Sequence, residues 1–131
     1  MNFDEKERYF RKIVFAMADA AKRHNAKFMV LMIPFNFQVE PDYFLPLVFK
    51  RPEESSAIKR GELKIKRDYL EELEPVLEAR KIDHINLLAA MKRSGGKYYP
   101  RNGEVHFNSE GHAFTARILK EYLESKKMLQ K

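Results

Sequence analysis

The run Phe28-Met29-Val30-Leu31-Met32-Ile33 constrains this chain most. It is apolar throughout, without polar alternation, and Pro34 ends it. A strand with one face in water alternates; a strand buried on both faces does not, and that is the mark of a parallel sheet covered by helices. The preceding residues supply such a helix. From about Asp4 to His24, Phe10, Ile13, Val14, Met17, Ala18 and Ala21 recur at helical spacing, with Asp4 suited to the N-cap and Asn25 to the stop. A helix feeding a buried strand is the repeating unit of α/β folds.

A second such unit follows. Lys64 to Arg80 reads as a helix with Tyr69, Leu70, Leu73, Val76 and Leu77 on one face, and Pro75 inside it predicts a kink or a restart. Ile82 to Leu88 reads as a short strand running into a helical turn through Ala89-Ala90-Met91, broken by Ser94-Gly95-Gly96. Two apolar runs separated by a helix predict adjacent parallel strands joined by a right-handed crossover. Pro34 to about Gly61 carries Pro34, Pro41, Pro46 and Pro52 among many aromatics, which suggests a packed loop, a short helix or a lid. Lys97 to Asn108 reads as a loop. Ser109 then reads as the cap of a last amphipathic helix to about Lys126, with Phe114, Ile118, Leu119, Tyr122 and Leu123 turned inward.

The expectation is a single α/β domain over residues 1–131, with a short parallel sheet. Two strands make a poor sheet by themselves. Either a missing N-terminal half or oligomerisation would complete it.

Composition narrows the function classes. The chain has no cysteine, which excludes disulfides and thiolate metal sites. No apolar run approaches the length of a membrane span, and Met1 to Lys6 is charged and lacks a signal-peptide core. These features predict a soluble chain without membrane contact, cytoplasmic if this is the full protein. The net charge is +6. The basic residues are interleaved with acids, as in Lys6-Glu7-Arg8, Lys66-Arg67-Asp68 and Lys120-Glu121, which is the pattern of solvated helix faces rather than of a nucleic-acid patch.

Chemistry concentrates between Tyr98 and His112. This segment places Glu104 and His106 in a loop just before a capped helix. A general-base histidine turns one ring nitrogen toward the nucleophile and needs an acceptor at the other to fix its tautomer. At Glu104-Val105-His106-Phe107-Asn108-Ser109-Glu110-Gly111-His112 the chain resembles the SGNH/GDSL hydrolase superfamily. Its members often end with an acid, a His and an Asn-x-x-Gly-His run opening the last helix. The resemblance extends backward: Lys27 to Val39 looks like the family's penultimate strand and following loop, and Ile82 to Leu88 looks like its last strand, where an Asp is more usual than Asn86. It covers about residues 10 to 125. It implies a three-layer α/β/α fold of the flavodoxin-like SGNH type and hydrolysis of an ester or acetyl ester, an acetylated carbohydrate included. In that reading His106 is the general base and Glu104 the acid, and no cofactor or metal is implied.

The chain also departs from the family. The Gly-Asp-Ser turn that supplies the nucleophile is absent, as are the separate Gly and Asn blocks that supply oxyanion donors, and the acid is Glu104 where Asp is usual. Ser55, Ser56, Ser94, Ser109 and Ser125 are the serines between the first helix and the C-terminus, and none sits in a strand-to-helix elbow. His24, His84 and His112 read as structural histidines, and no pair of histidines has a metal-ligand spacing that persuades. Two functions follow as expectations: a hydrolase portion inactive by itself, or a non-catalytic α/β module that binds a partner or assembles with copies of itself.

Overall fold

The computed structural model describes residues 3–40, 69–100 and 105–129. Its elements are α1 (Phe3–Arg23), β1 (Met29–Met32), the short α2 (Asn36–Val39), α3 (Tyr69–Ala79), β2 (Asp83–Asn86), α4 (Leu87–Ser94) and α5 (Ser109–Ser125). The expected α/β class is therefore observed; the expected start of the second helix, at Lys64, lies outside the described residues.

The two strands are adjacent and parallel, with Met29 opposite Asp83, Val30 opposite His84, Leu31 opposite Ile85 and Met32 opposite Asn86. Successive strand residues point to opposite faces, and the packing follows that rule. Val30 and Met32 join Val14 of α1 and Leu73 and Leu77 of α3 in one apolar cluster. Met29, Leu31 and Ile85 join Leu87 and Met91 of α4, Tyr98, Tyr99 and Phe114 of α5 in a second cluster. The unalternating run in β1 is thus explained: both faces of the strand meet helices. Asp83 begins the same face as Ile85, and Tyr122 of α5 donates a hydrogen bond to it at 2.9 Å, which fastens α5 to the sheet.

Helix ends follow the local chemistry. Beyond α1, Asn25 takes up the left-handed conformation (φ 52°) that terminates a helix. Asn86 ends β2 and caps α4, its side chain accepting from the Leu88 N–H at 3.1 Å. Gly95 closes α4 at φ 67°, a conformation a residue with a Cβ resists.

One expectation needs correction, and three others become specific. The last helix is capped by Asn108 and not by Ser109: the Asn108 side chain accepts from the Gly111 N–H at 2.8 Å, while Ser109 is the first helical residue. Of the kink or restart expected at Pro75, the restart does not occur: α3 runs unbroken from Tyr69 to Ala79, forgoing the one backbone bond that a proline nitrogen cannot donate. The apolar stripe of α1 is only partly covered. Val14 is buried, but Phe10, Ile13 and Met17 stay exposed, in keeping with the expectation that two strands make a poor sheet. Of the packed loop, short helix or lid expected after Pro34, the described part is a short helix, the single turn α2; the remainder, from Pro41 on, lies outside the described residues.

No helix among the described residues is long and apolar enough to cross a membrane.

Candidate functional site

The histidine loop hangs on a set of buried anchors. Tyr98 and Tyr99 are each 2% exposed. The Tyr98 ring packs on Phe114 with centroids 4.7 Å apart, and its hydroxyl shares a hydrogen bond with Ser94 Oγ. The Tyr99 hydroxyl donates to the carbonyl of Pro34, just beyond the carboxyl end of β1. Burial raises the Tyr99 phenol well above its ordinary pKa, and the nearby Glu40 carboxylate adds to the rise. Phe107 lies on the Tyr99 ring at 5.0 Å.

The loop then closes on itself. The Asn108 N–H donates to the Tyr98 carbonyl at 2.9 Å, and Asn108 Nδ2 donates to the Lys97 carbonyl at 2.7 Å. One residue thus caps α5 with its oxygen and pins the loop with its nitrogens. Gly111 is required by close approach: a Cβ there would run into the Tyr98 carbonyl and come within 2.9 Å of Phe107 Cβ. The Asn-x-x-Gly spacing therefore has a physical reason in this chain.

His106 sits one residue before Phe107 and is exposed, as is Val105. Its ring makes no hydrogen bond or ion pair with a described residue. Glu104, the expected orienting acid, lies outside the described residues, so the pair is not described together. His112 is also exposed, on the first turn of α5, and its ring meets Phe107 edge-on at 5.8 Å.

The described serines have other duties. Ser94 Oγ donates to the Met91 carbonyl at 2.8 Å besides its contact with Tyr98, and Ser125 Oγ donates to the Tyr122 carbonyl at 2.8 Å. Both are turn-closing bonds near helix ends. Ser109 opens α5. Ser55 and Ser56 lie outside the described residues.

Glu40 was not singled out by the sequence. Its carboxylate is only 7% exposed, with one oxygen paired to Lys97 Nζ at 3.2 Å and the other without a hydrogen-bond partner among the described residues. Together with the Tyr99–Pro34 bond, this ion pair ties the histidine loop to the segment leaving β1. A buried carboxylate has no periodicity to betray it, and only its place after an apolar run could have drawn notice.

A second polar group lies on the opposite face of the sheet. His84 Nδ1 approaches the Ile82 carbonyl at 2.9 Å, and its Nε2 faces Glu74 Oε1 at 3.8 Å. Glu78 stands one turn beyond Glu74 on α3.

No family model, no curated protein and no solved structure matches this chain.

Proposed function

We propose that the chain is part of an SGNH/GDSL-type hydrolase acting on an ester or acetyl ester, with His106 as general base. The observation that carries this reading is the attachment of the histidine loop to the carboxyl end of β1 through Tyr99 and Pro34. In open parallel sheets, ligands bind in the crevice beyond the carboxyl ends of the strands. His106, exposed beside that anchor, is free to meet a substrate. Glu104 is the acid that would orient the imidazole. The helices on either side of β1 and β2 are read as the edge of a larger three-layer α/β/α sheet of the flavodoxin-like type. Nucleophile and oxyanion donors then come from a Ser-bearing segment that pairs with this one.

The test is hydrolysis of a short acyl ester, such as p-nitrophenyl acetate, by a longer protein that joins a Gly-Asp-Ser block to this chain. His106→Ala should abolish turnover there while leaving the fold intact. Turnover that survives the substitution refutes the assignment.

A second reading, an assembly module without catalysis, draws on a different observation. Tyr9, Ile13 and Met17 fall one turn apart on α1 and are 60%, 45% and 54% exposed. Apolar patches of this kind commonly mark protein interfaces.

A further inference from the structure

We infer that Glu74, Glu78 and His84 form a binding site for a divalent transition-metal ion of the zinc type, on the sheet face away from the histidine loop. Each residue offers one ligand atom, and the three atoms lie within 4.8 Å of one another. The fold makes this convergence. Glu74 and Glu78 are one turn apart on α3, so they share a face of that helix. His84 points from β2 toward α3, because it pairs with Val30 on the face that α1 and α3 cover.

The hydrogen bonds around the group leave the ligand atoms free. The Ile82 carbonyl can only accept, so His84 Nδ1 carries the proton in the 2.9 Å contact between them. In the neutral ring Nε2 is then a bare lone pair. It faces Glu74 Oε1 at 3.8 Å, an acceptor opposite an acceptor. A cation seated between the two atoms would satisfy both lone pairs. The other Glu74 oxygen accepts from Asn86 Nδ2 at 3.0 Å, which turns Oε1 toward the histidine. A backbone carbonyl on the far nitrogen of the imidazole and an amide on the far oxygen of the carboxylate are the outer partners that orient metal ligands.

The donor set selects the ion. One imidazole and two carboxylates suit zinc and its neighbours, whereas calcium and magnesium prefer oxygen alone. Around a tetrahedral zinc, ligand atoms about 2.0–2.2 Å from the metal stand roughly 3.4 Å apart. The His84–Glu74 separation is close to that, and the exposed Glu78 side chain has the freedom to close the remaining gap. Three protein ligands leave the fourth position to water or to another molecule.

The experiment is calorimetric titration of ZnCl2 into chelator-stripped protein near neutral pH, with CaCl2 as the control ion. The expected result is one equivalent of zinc bound, no heat from calcium, and weaker zinc binding at lower pH, as protons compete with the metal for its ligands. Glu78→Gln lies on an exposed position and should fold normally, yet weaken zinc binding by at least the roughly 10–100-fold that loss of an outer partner costs. His84→Gln should do the same, with its circular dichroism compared to the parent to show that it folds. A His106→Ala/His112→Ala double variant should bind zinc as the parent does. Absence of binding at 100-fold excess zinc, binding unchanged in Glu78→Gln, or binding lost in the His106→Ala/His112→Ala variant would each overturn the inference.

Discussion

The hydroxyl of Tyr99 donates to the carbonyl of Pro34, 65 residues away in sequence, and joins the histidine loop to the end of β1. Both groups are buried, so neither can turn to water if the bond is lost.

Tyr99→Phe keeps the ring and removes the donor. The Pro34 carbonyl is then left buried and unsatisfied, which costs about 1–3 kcal/mol. The urea midpoint should fall accordingly with little change in slope. The substitution should also alter the alkaline limb of stability. Burial, then Glu40, raises the folded-state pKa of this phenol above the ordinary value of about 10. Stability is therefore complete below that value and is lost as the pH rises through the higher folded one, since the unfolded chain ionises first. Tyr122 shifts in the same direction, chiefly by burial and then through its bond to Asp83. The loss at high pH should consequently be shallower in Tyr99→Phe, without vanishing. An unchanged alkaline limb would contradict the burial argument.

Asn108 and Ser109 make a paired test of the last helix. Asn108→Ala removes the cap on the Gly111 N–H and the bond to the Lys97 carbonyl together. It should cost about 1–2 kcal/mol. Ser109→Ala, at the first helical position, should fall within about 0.5 kcal/mol of the parent. Thermal melts of the two variants check the order; the reverse order would return the cap to Ser109.

The exposed face of α1 predicts self-association. Light scattering at micromolar concentration should give a mass above that of one chain. Ile13→Glu and Met17→Glu place charges on positions that are already exposed, so folding should survive while the mass falls to that of a monomer. A clean monomer in the parent protein would count against an interface here.

The elements were legible where periodicity carried the information. The unbroken apolar run in β1 and the helical spacing in α1, α3 and α5 each announced a structure that is found. Other features had no such signal. Spacing shows that Phe10, Ile13 and Met17 lie on one side of α1, but not whether anything lies against that side. Asn108 and Ser109 are both good capping residues in adjacent positions, and only backbone geometry separates them. Glu74, Glu78 and His84 sit on two elements, and their meeting depends on how α3 packs on the sheet, which no local pattern records. His106 was singled out by the motif around it, and its role stands as proposed. The partners of its ring were not, because the expected acid is outside the described residues and a nucleophile is not evident among those described.

The chain assayed alone should show no ester hydrolysis above background. An acyl-transfer site needs a hydroxyl within about 2.6–3.2 Å of its base. Ser94 donates to the Met91 carbonyl and contacts Tyr98, and Ser125 donates to the Tyr122 carbonyl. Ser109 opens α5, without the strained turn that exposes a nucleophile. Donors aimed at an oxyanion are the second need, and losing one typically costs on the order of a hundredfold or more in rate. The backbone N–H of Gly111 is taken by Asn108, and that of Asn108 by Tyr98, so the start of α5 does not offer these two. Background hydrolysis of p-nitrophenyl acetate, unchanged by His106→Ala, is the expected outcome for this chain. Strong hydrolysis lost on His106→Ala would mean that a serine has been overlooked, and Ser94→Ala and Ser109→Ala would be the first variants to assay. Strong hydrolysis indifferent to His106→Ala would remove the basis for assigning this histidine as the base.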